Sequence, residues 1–402
     1  MQKTIIGYWC QQRKLFRFLF VFLSVCLLNS CFKSDGIKIV SSDSNVVVKK
    51  VRFSSLSGWN KENFKEIIPV FRKNCEHLMK NKGEYIYSSV IKVKSKDINR
   101  VCEKFFDKKI TDGKKMKRFI ESEFIPYAVL NGNNDEGKFT SYYEATINAS
   151  FEKNSKYKYP IYGKPNDLVE TNLKDFDDKL PNVRLVGLVK EGKFIPYFDR
   201  EYIEKNGIDA PILMWGDDLV DIHFMQIQGS AVAKMNDGSE VRIGFADSNG
   251  KKFRGIGSVL LEKGLLKPGE VSMPKIRSWL KTNKGKAQKE MAENKRFIFH
   301  RIIEADGPIG AMGVSLTAGR SLAVDNAIVP LGVMMWLDTY SPDNDDIEKI
   351  VFAQDIGSAI KGVVRGDYFW GHGEDALLDA GRMNSKGKYF ILAPKYSALE
   401  VN

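Results

Sequence analysis

Asp355 closes the apolar run Ile350-Val351-Phe352-Ala353-Gln354, and Asp367 follows twelve residues later, set against Tyr368-Phe369-Trp370. Between them runs Gly357-Ser358-Ala359-Ile360-Lys361-Gly362, a glycine-punctuated turn carrying one lysine. Catalytic groups are often held this way, on loops fixed by a rigid strand. Aromatic neighbours desolvate a carboxyl and raise its pKa, which suits a general acid. Asp367 is read as that acid. A third carboxylate, Asp325, follows Leu322-Ala323-Val324. One Asp at a strand end is ordinarily a turn former. Three around one turn cannot all ionise freely, so one pKa should rise.

Glu144 stands beside Tyr142 and Tyr143, and sugar rings stack on such aromatics, although tyrosine pairs on a strand more often pack. Gln226, Gln228 and Ser230 could bond hydroxyls and amides of a sugar. Other chemistries lack their residues. There is no G-x-S-x-G elbow, no phosphate-cradling Gly-Lys-Ser/Thr loop and no Cys/His nucleophile pair. The four histidines are scattered without metal-ligand spacing, so neither a metal nor another cofactor is expected. The net charge of +12 suits an anionic partner, but Lys and Arg are spread along the chain and no nucleic-acid motif accompanies them.

These groups need rigid strands, and the pattern supplies them. Phe139 to Thr146 is a strand candidate, and Pro160 to Leu168 is extended and turn-rich. Asp221 to Ser230 alternates polar and apolar as a strand would, and Met235-Asn236-Asp237-Gly238 closes a hairpin onto Val241 to Phe245. Strands return at 296–300, 331–337, 350–353 and 389–392. Short strands at this spacing suggest a small barrel. Helical spacing marks Phe64, Ile67, Ile68 and Phe71, then Ile110 to Phe124, Ser258 to Lys263 and Ser272 to Lys281. At 402 residues with 43% hydrophobic content, two or three domains are expected.

Lys3, Arg13, Lys14 and Arg17 precede the apolar run Phe18 to Leu28, which is short for a bilayer span. Leu28-Asn29-Ser30-Cys31 is similar to a bacterial lipobox, with Cys31 as the lipidated residue. An ordinary signal peptide or an uncleaved anchor is the competing reading. Phe32, not Asp, after the cysteine suits an outer-membrane destination by the same resemblance. Residues 32–54 read as a polar linker. Cys75 and Cys102 either pair in an oxidising compartment or remain buried thiols.

Taken together, several segments resemble the family of membrane-bound lytic murein transglycosylase A: Thr140 to Glu144, Tyr159 to Val169, Pro196 to Arg200, Gln226-Ile227-Gln228-Gly229-Ser230, Gly244 to Gly257, Leu316 to Asp325, and Asp355 to Trp370. The likeness runs from about Ser57 to the C-terminus. It implies a mainly β fold with helices (α+β): a double-psi β-barrel built from 55–145 and 286–402, a smaller β-barrel inserted over 146–285, and a groove between them. The three-aspartate domain is named for residues matching Asp325, Asp355 and Asp367. The resemblance further implies an exo-acting peptidoglycan lytic transglycosylase that leaves 1,6-anhydro ends, with Asp367 as sole acid and base and Asp355 and Asp325 in support. Thr140, Tyr142, Tyr143, Glu144, Gln226, Gln228, Gly229, Ser230 and Lys361 would line the substrate. Glycan strands, the membrane through Cys31, and cell-wall synthases would be its partners, in the periplasm at the outer membrane. Departures fall at Ser141 and Ser358, where glycine is usual, and at Ala145, where proline is. A two-aspartate glycan hydrolase and a non-catalytic wall-binding lipoprotein are the alternatives.

Overall fold

The structure, a computed structural model, describes residues 38–40, 45–87, 89–396 and 399–401. The leader over 1–31, with the lipobox and Cys31, lies outside the described residues. The fold is mixed α/β and mostly β.

Its centre is one long strand, Gly137–Ser150. The first half of that strand belongs to a closed ring. Asn384–Pro394 pairs with Met334–Tyr340, which pairs with Asp346–Ile356. Asp346–Ile356 runs parallel to Ser321–Val324, which pairs with Arg365–His372. Arg365–His372 runs parallel to Gly137–Ser150, and Gly137–Ser150 returns to Asn384–Pro394 through Thr140↔Asn384. Six strands thus close with no edge between them, which removes the exposed strand rims that invite aggregation. Side chains alternate across a strand. Leu322, Val324 and Tyr368 therefore point into the ring's core, where Trp336, Phe352 and Phe139 are also buried.

The second half of the strand enters another ring. Ala145 to Ala149 run parallel to Ser230–Met235, which forms a hairpin with Glu240–Ser248, as the Asn236-Asp237-Gly238 turn predicts. Glu240–Ser248 pairs with Ile298–Ile302. On the other side Ser150 pairs with Trp215 of Ile212–Gly216, which pairs with Tyr159–Tyr162. The bridge Gly163↔His300 completes the circuit. The sequence reading put 298–302 beyond a boundary at 285. In the structure Ile298–Ile302 pairs with Glu240–Ser248 of the second ring.

One predicted strand is a helix. Leu219–Gln228 is α-helical, capped by Asp218, whose carboxylate accepts the backbone N–H groups of Val220 (2.8 Å) and Asp221 (3.2 Å). It ends at Gly229, whose φ of +84° favours glycine. The alternation misled because the helix is buried on two sides. Val220 and Phe224 join one core, Ile222 and Met225 another, and the interleaved sets mimic a period of two. A second correction concerns the linker over 32–54. Val46–Lys50 is a strand paired with Phe124–Asn131, and Val46, Val47 and Val48 are buried. Three valines in a row bury too much apolar surface to stay in a tether.

A helical layer covers the first ring. Phe64–Leu78 presents Ile67, Ile68, Phe71, Cys75 and Leu78 inward. Gly113–Glu123, capped by Asp112, presents Met116, Phe119 and Ile120. A helix not expected from sequence, Ser95–Asp107, adds Ile98, Val101, Cys102 and Phe105; its charged residues masked a narrow stripe. Phe71 packs on Phe105, Phe119, Phe124 and, in the barrel, Phe352. Cys75 and Cys102 form a disulfide across 27 residues. A loop of that size lowers unfolded-chain entropy by about 3–4 kcal/mol in the chain-entropy picture.

The segment before the first helix is clamped to the barrel by charge. Arg320 and Glu62 form a bidentate pair, with both N–H···O distances 2.9 Å, and both side chains are buried. Arg320 also reaches Glu66 at 2.8 Å, and Glu62 accepts the backbone N–H of Ile350 at 2.6 Å. Removing one partner strands a buried charge. Glu62→Ala should therefore lower stability by about 3–5 kcal/mol, and Glu62→Gln by less. Urea unfolding midpoints of the two variants check this. Equal, near-zero shifts would contradict it.

Candidate active site

Four residues stand abreast on adjacent strands of the first ring. Ala323 is in register with Asp355 on one side and with Asp367 on the other, and Asp367 is in register with Thr140. Residues abreast share a face. This face is opposite the one that buries Leu322 and Tyr368. The two carboxylates are separated by one alanine, so their Cα atoms lie about 10 Å apart, two strand spacings. Gly366, beside Asp367, turns inward; a Cβ there would meet the Phe139 ring at 2.8 Å.

Each carboxylate has its own partners. The Thr140 hydroxyl donates to Asp367 Oδ1. Thr140 Oγ1 in turn accepts from Arg365 Nη2 at 2.7 Å. Asp355 Oδ2 accepts the Tyr142 hydroxyl and Oδ1 the backbone N–H of Ala311, both at 2.9 Å. The Tyr142 ring lies against Phe369, 5.1 Å between centroids. Both carboxyls are half-buried. Burial pushes the Asp355 pKa up to about 6, opposed by its hydrogen-bond donors and assisted by the Asp367 charge. Burial likewise raises the Asp367 pKa above the ordinary Asp value, opposed by the Thr140 hydroxyl and the Arg365 charge. A carboxyl whose pKa is raised by burial is a candidate proton donor.

Asp325 stands apart from that pair. Its carboxylate accepts Lys361 Nζ at 3.1 Å and the backbone N–H of Gly362 at 3.0 Å. It thus pins the turn that the sequence placed between the other two aspartates. Gly362 has a φ of +123°, a conformation that favours glycine. Lys361 is exposed and engaged with Asp325. Ser358 is exposed in the same turn.

The remaining expected residues divide by face. Thr140, Tyr142 and Glu144 share the Asp367 face of the long strand. Glu144 is buried and accepts Arg242 Nε at 2.9 Å, and burial raises its pKa. Tyr143 alternates to the other face, with its ring in the second ring's core. Ser141 also faces away, and its hydroxyl accepts the Trp370 indole N–H at 2.9 Å. Ala145 starts the parallel pairing with Ala231. Gln228 Oε1 accepts the Tyr143 backbone N–H at 3.3 Å. Gln226 is buried with Oε1 unpaired, and Ser230 is buried at the start of its strand. Arg365 and Arg242 were missed. Arg365 sits two residues before Asp367, a position that puts both on one face of a strand, and that spacing was the available signal.

Residues 138–301 match the MltA specific insert domain, and residues 320–393 match the 3D domain. The membrane-bound lytic murein transglycosylase A of Escherichia coli K12 is 30% identical over 265 residues, 63% of this chain and 65% of that protein. The chain thus spans about two thirds of the length of that curated relative. Among solved structures, MltA from Neisseria gonorrhoeae is 29% identical, with 92% of this chain and 98% of that chain covered and a TM-score of 0.79. LtgG, a lytic transglycosylase of Burkholderia pseudomallei, is 31% identical, with 87% and 95% covered and a TM-score of 0.57.

The raised Asp355 carboxyl has a consequence for stability. Its folded pKa, about 6, exceeds the unfolded value near 3.9, so between about pH 4 and 6 the native chain binds more protons. Stability from this group therefore falls as pH rises through that window. Asp355→Asn, which cannot ionise, should gain about 1–2 kcal/mol relative to the parent on going from pH 4.5 to pH 7. Denaturant midpoints at the two pH values measure it; a pH-independent difference would show that the carboxyl is not raised.

Proposed function

The chain belongs to the MltA family, and from that premise we propose that it is a peptidoglycan lytic transglycosylase with Asp367 as its single acid and base. The observation that carries the reading is a raised, half-buried Asp367 carboxyl with one oxygen committed to Thr140 and the other without a protein donor among the described residues. The substrate bond is the β-1,4 linkage between N-acetylmuramic acid and N-acetylglucosamine. Protonated Asp367 gives its proton to the glycosidic oxygen as the C1–O bond breaks and oxocarbenium character develops at C1. The resulting carboxylate takes the proton of the muramoyl C6 hydroxyl, whose oxygen bonds to C1. The products are a free 4-hydroxyl and a 1,6-anhydro ring. Because the nucleophile is already part of the substrate, proximity supplies a large effective molarity.

In this reading the first ring is the double-psi barrel and the second ring the inserted domain. Their shared strand lays Tyr142 and Glu144 along a groove for the glycan. Gln226, Gln228, Gly229 and Ser230 extend it, and Lys361 and Asp325 shape its rim. Lipidation at Cys31 would hold the enzyme at the outer membrane, facing the periplasm, near the cell-wall synthases. The Cys75–Cys102 disulfide supports an oxidising compartment. Among the described residues no helix is long and apolar enough to cross a membrane.

A second reading has some footing in the spacing of Asp355 and Asp367. Two carboxyls roughly 6.5–9.5 Å apart suit an inverting hydrolase with a water between them. Against it, both Asp355 oxygens already accept hydrogen bonds, from Tyr142 and Ala311, which suits an anchor better than a base.

Asp367→Ala should fold and lose at least about two to four orders of magnitude in rate on murein sacculi. Mass spectrometry of the released muropeptides separates the readings: anhydro ends for the transglycosylase, reducing ends for a hydrolase. Sacculi bound without clearing by the parent chain would indicate a binding protein instead.

A further inference from the structure

Arg365 makes no ion pair of its own among the described residues, yet it is half-buried, two residues before Asp367 on the acid's face of the strand. Its guanidinium is held by one carbonyl of its own strand and one of the adjacent long strand. Nη1 donates to Gly366 O, on its own strand, and to Lys138 O, 3.4 Å away on the long strand. That leaves Nη2 aimed at Thr140 Oγ1, 2.7 Å away. Burial depresses the Arg365 pKa, and the neighbouring Asp367 charge opposes that shift.

Hydrogen-bond arithmetic then orders the three groups. Arginine only donates. Thr140 Oγ1 must therefore accept from Arg365, and its one hydroxyl proton is directed to Asp367 Oδ1. An oxygen serving as acceptor in that bond is not the one that carries the acid's proton. We propose that Arg365 is a positioning residue for the acid: acting through Thr140, it fixes Asp367 Oδ1 as an acceptor and leaves Oδ2 as the oxygen that gives and later takes the proton. The same chain favours the carboxylate formed after proton donation, because a cation stands behind the hydroxyl. The burial that keeps the proton on and the cation that helps it leave are thus separate devices acting on one side chain. This inference rests on the reading of Asp367 as the acid.

The test compares the full chain with Arg365→Gln, Thr140→Val, the double variant and Thr140→Ser on soluble glycan strands, across pH. Arg365→Gln should lower kcat about tenfold or more with KM little changed. It should also move the alkaline limb of the rate to higher pH, since a positive charge that held the acid's pKa down is gone. The double variant should be no worse than Thr140→Val, because both act through one path. Thr140→Ser keeps the hydroxyl and should keep the parent pH profile. An Arg365→Gln chain with parent kcat and pH limb, or losses that simply multiply in the double variant, overturns the proposal. Carboxyl NMR of Asp367 reads the same device without turnover, and its titration should move upward in Arg365→Gln. If the parent chain forms no anhydro ends, the function reading fails alone, and the carboxyl titration still decides the role of Arg365.

Discussion

Backbone hydrogen bonding along Gly137–Ser150 is the constraint on which the molecule is built. Its residues 137–144 close one ring and its residues 145–150 close another. Register on such a strand is all or nothing: a slip by one residue sends every side chain to the opposite face. Here that would bury Thr140 and Tyr142 and expose Ser141 and Tyr143. Both cores therefore enforce the placement of the polar face, through Phe139 in one and Ile147 and Ala149 in the other. The site's geometry is a by-product of apolar packing on the reverse side of the same strand.

On that polar face, two opposed effects meet at each carboxyl. Burial raises the pKa of Asp355 and of Asp367, while donors and a cation lower it. Neither extreme would serve a proton donor: full solvation leaves it ionised at pH 7, and an apolar pocket with no donors would hold the proton too firmly to lose it. Asp355 receives donors on both oxygens, Asp367 on one. The asymmetry leaves two chemically identical side chains, about 10 Å apart, in different hydrogen-bonding surroundings. The third aspartate is spent on architecture, tying Lys361 and Gly362 so that the intervening turn keeps its shape.

The hairpin at Asn236-Asp237-Gly238 and the helices at Phe64–Leu78 and Gly113–Glu123 were legible because each rests on a local rule of turn chemistry or periodicity. Leu219–Gln228 was misread because a helix sandwiched between two cores has no single apolar stripe. Val46–Lys50 was misread because its partner strand is about 80 residues away in sequence, and strand pairing is not written locally. The Arg365 contact depends on where a guanidinium is held after folding, which no spacing rule specifies. The pairing of Cys75 with Cys102 was left open by the sequence for a related reason: it needs two helices to cross, and one of them had not been recognised.

The unbroken course of Gly137–Ser150 also limits how the molecule can move. Rotation of one ring against the other cannot be taken up at a flexible joint, because the chain passes between them as hydrogen-bonded strand. It would have to be spread as added twist over fourteen residues. The protein should thus behave as a torsion bar of small amplitude.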